Sequence, residues 1–486
     1  MPLRISIKSA SFYLRTIQTR LPFRFGAFTL EKVPLLHLAI QAESESGIRV
    51  QGVAAENLMP KWFDKNPAKS PLHNIQDLLR AVCIARDLYS GAGRTPAHVW
   101  DIWREAYPAC LHQGRIQGLN SLVSSLGSSL FERALLDAIG KIFNRDLVGI
   151  LRDNLAGIQP QEIHKELDYA DTLKWAADTS PSTLAVRHTV GLLDPLDSGD
   201  LAEKNPFSDG LPRTLEEYLL RHGLRFFKLK VGGHIEADLD RLQRIASVLD
   251  RLLSQTYLVT LDGNEQYQSI SEIHELVERI RKDPKLRRFY QSIAFIEQPL
   301  DRTISLEPSI EEGLRELSKL CPVIIDESDD HLDAFKTAIT LGYRGVSSKN
   351  CKGVMKSFLN RSLIAKRNPL RPENEKLFMT AEDLTNVPVV PLQQDLATVR
   401  ALGIQHVERN GFHYVRGLAH CSPLERKMAL SYHSDLYTES GNEVFVRIVN
   451  GCIQVDSLTV PGYGVAFDPD FESMEPWSGE TSIKSL

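Results

Sequence analysis

The sequence predicts an α/β fold, a parallel (β/α)8-type barrel with an N-terminal α+β capping domain that the C-terminal tail completes. Between residues 180 and 430, eight short apolar runs alternate with helical patterns, at the spacing of roughly thirty residues per unit that a parallel eight-fold barrel requires. The first 150 residues read instead as strands followed by helices, and strand patterns return after residue 430. We therefore predict a capping domain over 1–150, a catalytic barrel over 151–430 and a returning tail over 431–486.

The capping domain is predicted from two patterns of apolar residues, one typical of strands and the next typical of helices. Residues 3–13 alternate between apolar and polar, and 33–40 is followed by a Glu/Ser/Gly turn and a further apolar run at 48–53, which is typical of a small antiparallel sheet. From residue 75 to about 152 the apolar residues recur at three- and four-residue spacing, most clearly at 130–139, which indicates helices.

The barrel strands are predicted from the apolar runs and their polar boundaries. They fall at 184–192, 226–231, 257–262, 293–297, 323–326, 345–349, 377–382 and 404–408. The Pro/Asp/Gly-rich segment 194–212 reads as an insertion in the loop of the first unit, on the face where barrel active sites lie. We expect the strand patterns at 444–448 and 452–455 to rejoin the N-terminal sheet.

Composition excludes several classes of partner. The chain has 486 residues, with 57 Lys and Arg against 62 Asp and Glu, a net charge of −5. No basic field favours nucleic acid or an anionic membrane surface, and no apolar run approaches the roughly eighteen residues of a membrane span. The six cysteines are scattered without a C-x-x-C pair, and residues 3–8 alternate as a strand does. These features predict a cytoplasmic protein.

A lysine pair stands in the second predicted barrel strand. Lys228 and Lys230 share one face of the strand, and the apolar residues between and beside them share the other. Two like charges in a dry site lower each other's pKa, so one amine could act as a base near neutral pH. The alternative is a solvated pair on an edge strand.

Acidic residues end the next three strands. Asp262, Glu297 and Asp326 come in consecutive units, and Lys349 ends the unit after them. Catalytic residues of such barrels lie at the C-terminal ends of the strands. Converging carboxylates need a cation, and hard oxygen ligands favour Mg²⁺, with Mn²⁺ as the second choice. We therefore predict these three acids as metal ligands, although any one alone could be a helix N-cap.

The ordered set of strand-end motifs resembles the enolase superfamily, in its mandelate racemase and muconate lactonizing enzyme branch. The set is Lys-x-Lys at 228–230, Asp-x-Asn at 262–264, Ile-Glu-Gln-Pro at 296–299, Asp-Glu-Ser at 326–328, Lys349, and Pro-Gly-x-Gly at 461–464. The resemblance extends over nearly the whole chain. Sites of this superfamily use a basic residue, with Mg²⁺ to stabilise an enediolate. The resemblance therefore implies that Mg²⁺ holds the carboxylate of the substrate. It also implies that Lys230 is the acid/base on one face of the α-carbon, with Lys228 beside it, and that Lys349 stands on the opposite face.

The resemblance also has departures. The seventh strand lacks the histidine that the mandelate racemase group uses in a His/Asp dyad. The eighth strand carries His406 and Glu408 on one face, where the dipeptide epimerases have Asp-x-Asp. This second difference puts dipeptide recognition in doubt. Helix capping and buried structural pairing are alternative roles for these side chains. The candidate substrate contacts are Asn264, Glu382, Asp383, His406, Glu408 and, in the cap, Arg24.

These residues predict a Mg²⁺-dependent enzyme that abstracts the α-proton of a small carboxylate, most consistent with a racemase, epimerase or cycloisomerase. A dehydratase of a sugar acid or other hydroxy acid is the alternative, favoured by the polar loop at 194–212 and by His406. Spacing does not separate these reactions. A metal-free Schiff-base lyase using Lys230 and a non-catalytic barrel are the other classes. We expect a homo-oligomer.

Overall fold

The computed structural model describes residues 2–25, 28–176, 180–201, 209–384 and 386–479, and within these ranges it describes side chains outside 23–28. The candidate contact Arg24 therefore lies outside the described side chains. Along the described chain, no helix is both long and apolar enough to cross a membrane.

The chain contains fifteen strands over the described residues. They are β1 (Ile5–Phe25), β2 (Phe28–Ser44), β3 (Arg49–Asn57), β4 (Thr183–Val190), β5 (Phe226–Lys230), β6 (Leu258–Asp262), β7 (Ile293–Glu297), β8 (Val323–Ile325), β9 (Gly345–Ser348), β10 (Phe378–Glu382), β11 (His406–Arg409), β12 (Tyr437–Ser440), β13 (Glu443–Val446), β14 (Cys452–Gln454) and β15 (Glu475–Trp477).

Fifteen α-helices, several of them a single turn, connect and flank these strands within the same described ranges. They are α1 (Pro71–Ala92), α2 (Val99–Ile116), α3 (Ser121–Phe143), α4 (Leu147–Arg152), α5 (Tyr169–Ala176), α6 (Leu215–His222), α7 (Ile235–Leu252), α8 (Ile270–Lys282), α9 (Arg287–Gln291), α10 (Glu311–Leu320), α11 (Ala334–Leu341), α12 (Val354–Arg367), α13 (Val390–Ala401), α14 (Gly411–Tyr414) and α15 (Pro423–Tyr432).

The cap is an antiparallel sheet, in the order β15-β1-β2-β3, against which α1 and α3 pack. Helix α3 begins where the Asn120 side chain accepts the backbone N–H of Val123, an N-cap that satisfies one of the free amides of the first turn. Strand β3 lies directly on this helix. A Cβ atom added at Gly52 would stand 2.1 Å from the carbonyl oxygen of Ala134, so the close approach of strand and helix requires glycine.

The predicted barrel is confirmed. Strands β4 to β11 are each hydrogen-bonded in parallel to the next, and β11 pairs with β4 to close the ring. Phe227 and Leu229 of β5 are fully buried core residues, and, because strand side chains alternate, they point to the opposite face from Lys228. This alternation directs the lysines of β5 toward the interior of the barrel.

The tail completes the cap, as predicted, but through a different strand. Strand β15 pairs antiparallel with β1, placing Trp477 opposite Phe12. The two strand patterns that we expected in this sheet lie elsewhere, because β13 forms a hairpin with β12 and β14 pairs antiparallel with the start of β4. A strand pattern fixes which face is apolar, whereas its partner depends on contacts distant in sequence. The boundaries at 150 and 430 stay predictions.

One buried carboxylate joins the cap sheet, α3 and the tail. The fully buried Asp137 accepts the backbone N–H of Val53 at 2.9 Å and that of Tyr463 at 2.8 Å. It also pairs with Lys141 at 2.8 Å. The tail is thus held to the cap by a charge-assisted hydrogen bond as well as by strand pairing.

We expect Asp137→Ala to lower the free energy of unfolding by about 2–6 kcal/mol, since it leaves two buried backbone N–H donors without an acceptor at about 1–3 kcal/mol each. Urea denaturation measures the change. Asp468→Ala is the matched control, because Asp468 is 69% exposed and reaches the same Lys141 at 3.7 Å. Equal stability of the two variants would contradict the assignment.

Candidate active site

The ammonium group of Lys228 stands at the centre of the barrel end. Its side chain is 1% exposed, and four carboxylates surround Nζ. The oxygens lie at 2.6 Å (Glu382 Oε1), 2.9 Å (Glu408 Oε2), 3.0 Å (Asp262 Oδ2) and 3.1 Å (Glu297 Oε1). These acids come from β10, β11, β6 and β7, so one lysine joins four strands.

The expected lowering of the lysine pKa values does not occur in this arrangement. Burial acts to lower the pKa of Lys228, but the four carboxylates outweigh it and raise that pKa well above the ordinary value. For Lys230, burial and then the charge of Lys228 act downward as predicted, yet the ion pair with Asp262 raises the pKa overall. The like-charge argument was wrong in its net sign because the opposite charges outnumber and outweigh the single lysine neighbour.

Lys349 faces the lysine pair from across the barrel. It follows β9, which three strands separate from β5 in either direction around the ring. Its Nζ lies 2.6 Å from Asp326 Oδ2 and 2.7 Å from Glu382 Oε2. Burial acts against the charged form, but Asp326 and Glu382 raise the pKa of Lys349 well above its ordinary value. The indole ring of Trp62, from the cap, lies 4.4 Å from the same Nζ.

Three buried acids converge between the lysines. Glu297, Asp326 and Glu382 each offer an oxygen, and the three oxygens lie within 4.8 Å of one another. Burial and the charge of Glu382 raise the pKa of Glu297 well above its usual range, and the same two causes raise the pKa of Glu408 to about 7. Burial and the neighbouring carboxylate thus disfavour the charged forms of Glu297 and Glu408, and a cation bound beside them would favour those forms.

Asp262 lies beside this group rather than in it. Its Oδ2 pairs with both Lys228 and Lys230, and its Oδ1 accepts the backbone N–H of Asn264 at 2.8 Å. Burial acts to raise its pKa, but the two lysine charges hold that pKa well below its usual range. Of the three predicted ligands, the structure brings Glu297 and Asp326 together, adds Glu382, and occupies both oxygens of Asp262 with other partners.

The two candidates on β11 lie at different depths. Glu408 reaches Lys228, whereas His406, at the start of the strand, lies 3.5 Å from the guanidinium of Arg187 and packs its ring against Phe226. The predicted shared face holds, but two residues along a strand span about 7 Å. His406 therefore occupies a lower layer of the barrel interior, away from the acids. Burial lowers its pKa to about 3.

Two further candidates lie at the edges of the site. The Asn264 side chain donates to Glu327 Oε1 at 2.7 Å, next to the strand end, as expected. Asp383 forms a buried ion pair with Arg409, so it is directed away from the lysines while the preceding Glu382 is directed toward them. Adjacent strand residues point to opposite faces, which accounts for the difference.

Two buried cations of the site were not predicted from the sequence. Lys352 donates to Asp326 Oδ1 at 2.9 Å and to the Ser347 carbonyl at 2.7 Å. Arg187 donates to Thr380 at 2.6 Å and lies 3.8 Å from Glu382. A signal existed for both. Lys352 stands three residues after Lys349, and Arg187 lies inside a predicted barrel strand, directly after the apolar run 184–186.

A loop of the cap is fastened over this end of the barrel. Arg302 donates to the carbonyls of Phe63 at 3.1 Å and Trp62 at 3.2 Å, and it forms a two-point ion pair with Glu265 at 2.7 Å. Lys65 pairs with the same Glu265 at 2.5 Å. These contacts hold Trp62 against Lys349.

We expect Arg302→Ala to speed backbone hydrogen exchange at 61–66 by about 10–100-fold, since hydrogen bonds to a charged group contribute about 1.5–3 kcal/mol each. Hydrogen–deuterium exchange mass spectrometry measures the rate. Arg315→Ala is the control, because Arg315 pairs with Glu311 on the exposed surface of α10. Unchanged exchange at 61–66 would show that the arginine does not hold the loop.

Comparison with known proteins gives structural neighbours alone. No protein-family model matches the chain, and no curated protein matches its sequence. Among solved structures, an enolase from Bradyrhizobium complexed with magnesium and mandelic acid shares 16% identity at a TM-score of 0.56, over 97% of this chain and 98% of the other. The L-Ala-D/L-Glu epimerase of Bacillus subtilis shares 14% identity at a TM-score of 0.57, over 95% and 99%.

A third neighbour carries the name of the branch itself. It is a protein of Sorangium cellulosum named for the mandelate racemase/muconate lactonizing enzymes, with 17% identity and a TM-score of 0.56 over 96% of this chain and 99% of the other. Fold and site thus define a capped (β/α)8 barrel with lysines and acids at the C-terminal ends of its strands. The chain has the fold of the enolase superfamily, and its neighbours include members named for the mandelate racemase/muconate lactonizing branch.

Proposed function

We propose that this protein is a Mg²⁺-dependent enzyme that abstracts the α-proton of a small carboxylate substrate, as a racemase, epimerase or cycloisomerase. The observation that carries the proposal is the placement of Lys230 and Lys349 on opposite walls of the barrel, with the buried acids between them. Neighbours with this fold include structures described with magnesium, mandelic acid and tartrate, which supports a carboxylate substrate.

The residues of the site fit a divalent cation. All three ligand candidates are carboxylates, which Mg²⁺ prefers, with Mn²⁺ as an alternative. Glu297 Oε2 is buried and has no hydrogen-bond partner in the described part of the chain, a cost that a cation would remove. When bound, the cation supplies the positive charge that makes a carbon acid beside a carboxylate acidic enough to react.

The positions of the three lysines suggest a different role for each in the reaction. The Lys230 side chain is 18% exposed whereas Lys228 and Lys349 are 1% and 4% exposed, so Lys230 is the amine nearest the opening. We assign Lys230 to proton transfer on one face of the α-carbon and Lys349 to the other face. Lys228 holds the acids in place, since its Nζ contacts four of them. Trp62 and the cap loop exclude water above Lys349.

The same arrangement suits three outcomes. Proton removal on one face and return on the other gives racemisation or epimerisation. One lysine as base and the other as electrostatic support gives cycloisomerisation or syn elimination. The dehydratase alternative was favoured by His406 and by the loop at 194–212, and His406 lies away from the acids, so only the loop still favours it. We therefore keep the isomerase as the proposed function.

Incubation with a library of small chiral carboxylates in deuterium oxide tests the proposal. We expect Mg²⁺-dependent incorporation of deuterium at the α-carbon without loss of water. NMR and mass spectrometry measure the incorporation. Formation of a 2-keto acid would replace the isomerase with the dehydratase. Substrate trapped on Lys230 by borohydride, with activity that survives a chelator, would replace both with a Schiff-base lyase.

Two controls separate catalysis from binding alone. Lys336→Met removes an exposed lysine that pairs with Glu166 and should leave exchange unchanged. If Mg²⁺ neither raises the melting temperature nor supports exchange with any carboxylate, the protein is a non-catalytic barrel. The deuterium, borohydride and melting experiments together assign each outcome to one of the four classes.

A further inference from the structure

We propose that a cavity outside the barrel binds a small aromatic anion, through aromatic walls and arginines at its rim. This hairpin cavity lies between α6, α14 and the β12–β13 hairpin, and residues 221–222, 412–413, 438–440 and 445–449 are part of its lining. Its volume is about 430 Å³, which lies within the roughly 300–1,000 Å³ of small-molecule sites. Binding there does not depend on the reaction proposed for the barrel.

Strand β11 separates the hairpin cavity from the candidate active site. Glu408 points into the barrel, where it contacts Lys228 at 2.9 Å. The next residue, Arg409, lines the hairpin cavity, because adjacent strand residues point to opposite faces. Among the described residues that line the cavity there is no lysine of the candidate active site. A molecule in the hairpin cavity would therefore contact the outer face of the barrel wall.

The walls of the hairpin cavity are aromatic and apolar. The ring of Phe412 meets that of Tyr218 at 6.0 Å and that of His222 at 5.8 Å, both edge to face. Phe445 of β13 adds a further ring to the lining, and Val449 at the rim is 49% exposed. Aromatic rings prefer such contacts at centroid distances of about 4.5–7 Å. A planar aromatic body in the cavity would extend this cluster and cover the exposed valine.

The charge of the hairpin cavity is positive and lies at its rim. Four arginines line it, against one acid among the described residues, Glu439. Two of these arginines have side chains at most 4% exposed and already pair with aspartates. The other two, Arg221 and Arg447, are exposed and form no ion pair within the described side chains. Burial lowers the pKa of His222 to about 4, so the arginines and not this imidazole supply the charge near neutral pH.

The inner wall of the hairpin cavity has polar groups without partners. Both ring nitrogens of His413, and Nε and Nη2 of Arg409, are buried and have no hydrogen-bond partner in the described part of the chain. Buried donors without an acceptor are unfavourable. The oxygens of an anion bound against this wall would supply acceptors, whereas an uncharged hydrocarbon would not. The lining thus favours an aromatic carboxylate or sulfonate over a purely apolar ligand.

Fluorescence titration with anilinonaphthalene sulfonate tests this assignment, because the probe is an aromatic anion that fluoresces strongly only in apolar surroundings. We expect it to bind the folded protein at one site per chain. Phenylnaphthylamine is the matched ligand, with the same rings and no sulfonate. We expect it to bind at least about tenfold more weakly, since hydrogen bonds to a charged group are lost.

Variants of the lining locate the probe. The double variant Arg221→Met with Arg447→Met removes both rim charges and should weaken sulfonate binding by about tenfold or more. Ile448→Trp fills the hairpin cavity and should weaken binding of both probes to a similar extent. Arg94→Met, which removes an exposed arginine of the cap, and Lys230→Met, in the barrel, are the controls. Each should change either affinity by less than about twofold.

Several results would overturn the assignment. Equal affinities for the two probes, or unchanged sulfonate binding in the double arginine variant, would show that the rim does not select an anion. Weaker binding in Lys230→Met would place the probe inside the barrel. If Ile448→Trp changes the oligomeric state in size-exclusion chromatography, the cavity is an interface between copies of the chain. If Ile448→Trp does not fold by circular dichroism, the double variant still decides, because both of its arginines are exposed.

Discussion

Lys230→Met and Lys349→Met should each strongly slow exchange of the α-proton from one stereoisomer of the substrate while exchange from the other persists. The affected isomer should lose about 10²–10⁴-fold in rate, the range that a positioned general base contributes. The reason is geometric, since the two amines lie on walls that three strands separate in both directions. Each can reach one face of an α-carbon between them.

Proton NMR in deuterium oxide with each pure stereoisomer measures the effect. Lys336→Met, on the outside of the barrel, is the control. Loss of exchange from both isomers in both variants would contradict a two-base mechanism and would favour one lysine as base with the other as electrostatic support. Exchange from both isomers in both variants would remove the lysines from the chemistry altogether.

The lysines and acids could be predicted because the signals for them are local. Strand alternation places Lys228 and Lys230 on one face, and the order of units places Asp262, Glu297 and Asp326 on consecutive strands. The closed barrel followed from the same periodicity. Neither the face of a strand nor the order of the strands depends on contacts across the barrel.

The pairing of charges could not be predicted in the same way. Whether Lys228 contacts Glu382 depends on the distance between the second and seventh strands, which the twist and stagger of the closed barrel determine. His406 and Glu408 show the same limit in one strand, because a shared face says nothing of depth. Net pKa shifts depend on these distances too, which is why the sign expected for Lys230 was wrong.

Lys228→Met should lower the free energy of unfolding by about 3–5 kcal/mol in the presence of a chelator, since breaking a buried ion pair from one side leaves uncompensated charge. Here the Lys228 ammonium contacts Asp262, Glu297, Glu382 and Glu408, and it is 1% exposed. Methionine conserves most of the side-chain volume, so a packing defect contributes little. Urea denaturation with and without chelator measures the loss.

Two further measurements identify charge as the cause. The double variant Lys228→Met with Glu408→Gln removes one positive and one negative charge together, so it should recover part of the lost stability. Saturating Mg²⁺ should recover part as well, because a bound cation lowers the free energy of the folded state alone. Lys336→Met, whose lysine is 40% exposed, should change stability by less than about 1 kcal/mol. If Lys228→Met is as stable as this control, the acids of the barrel do not depend on the central lysine, and its role would be confined to the substrate.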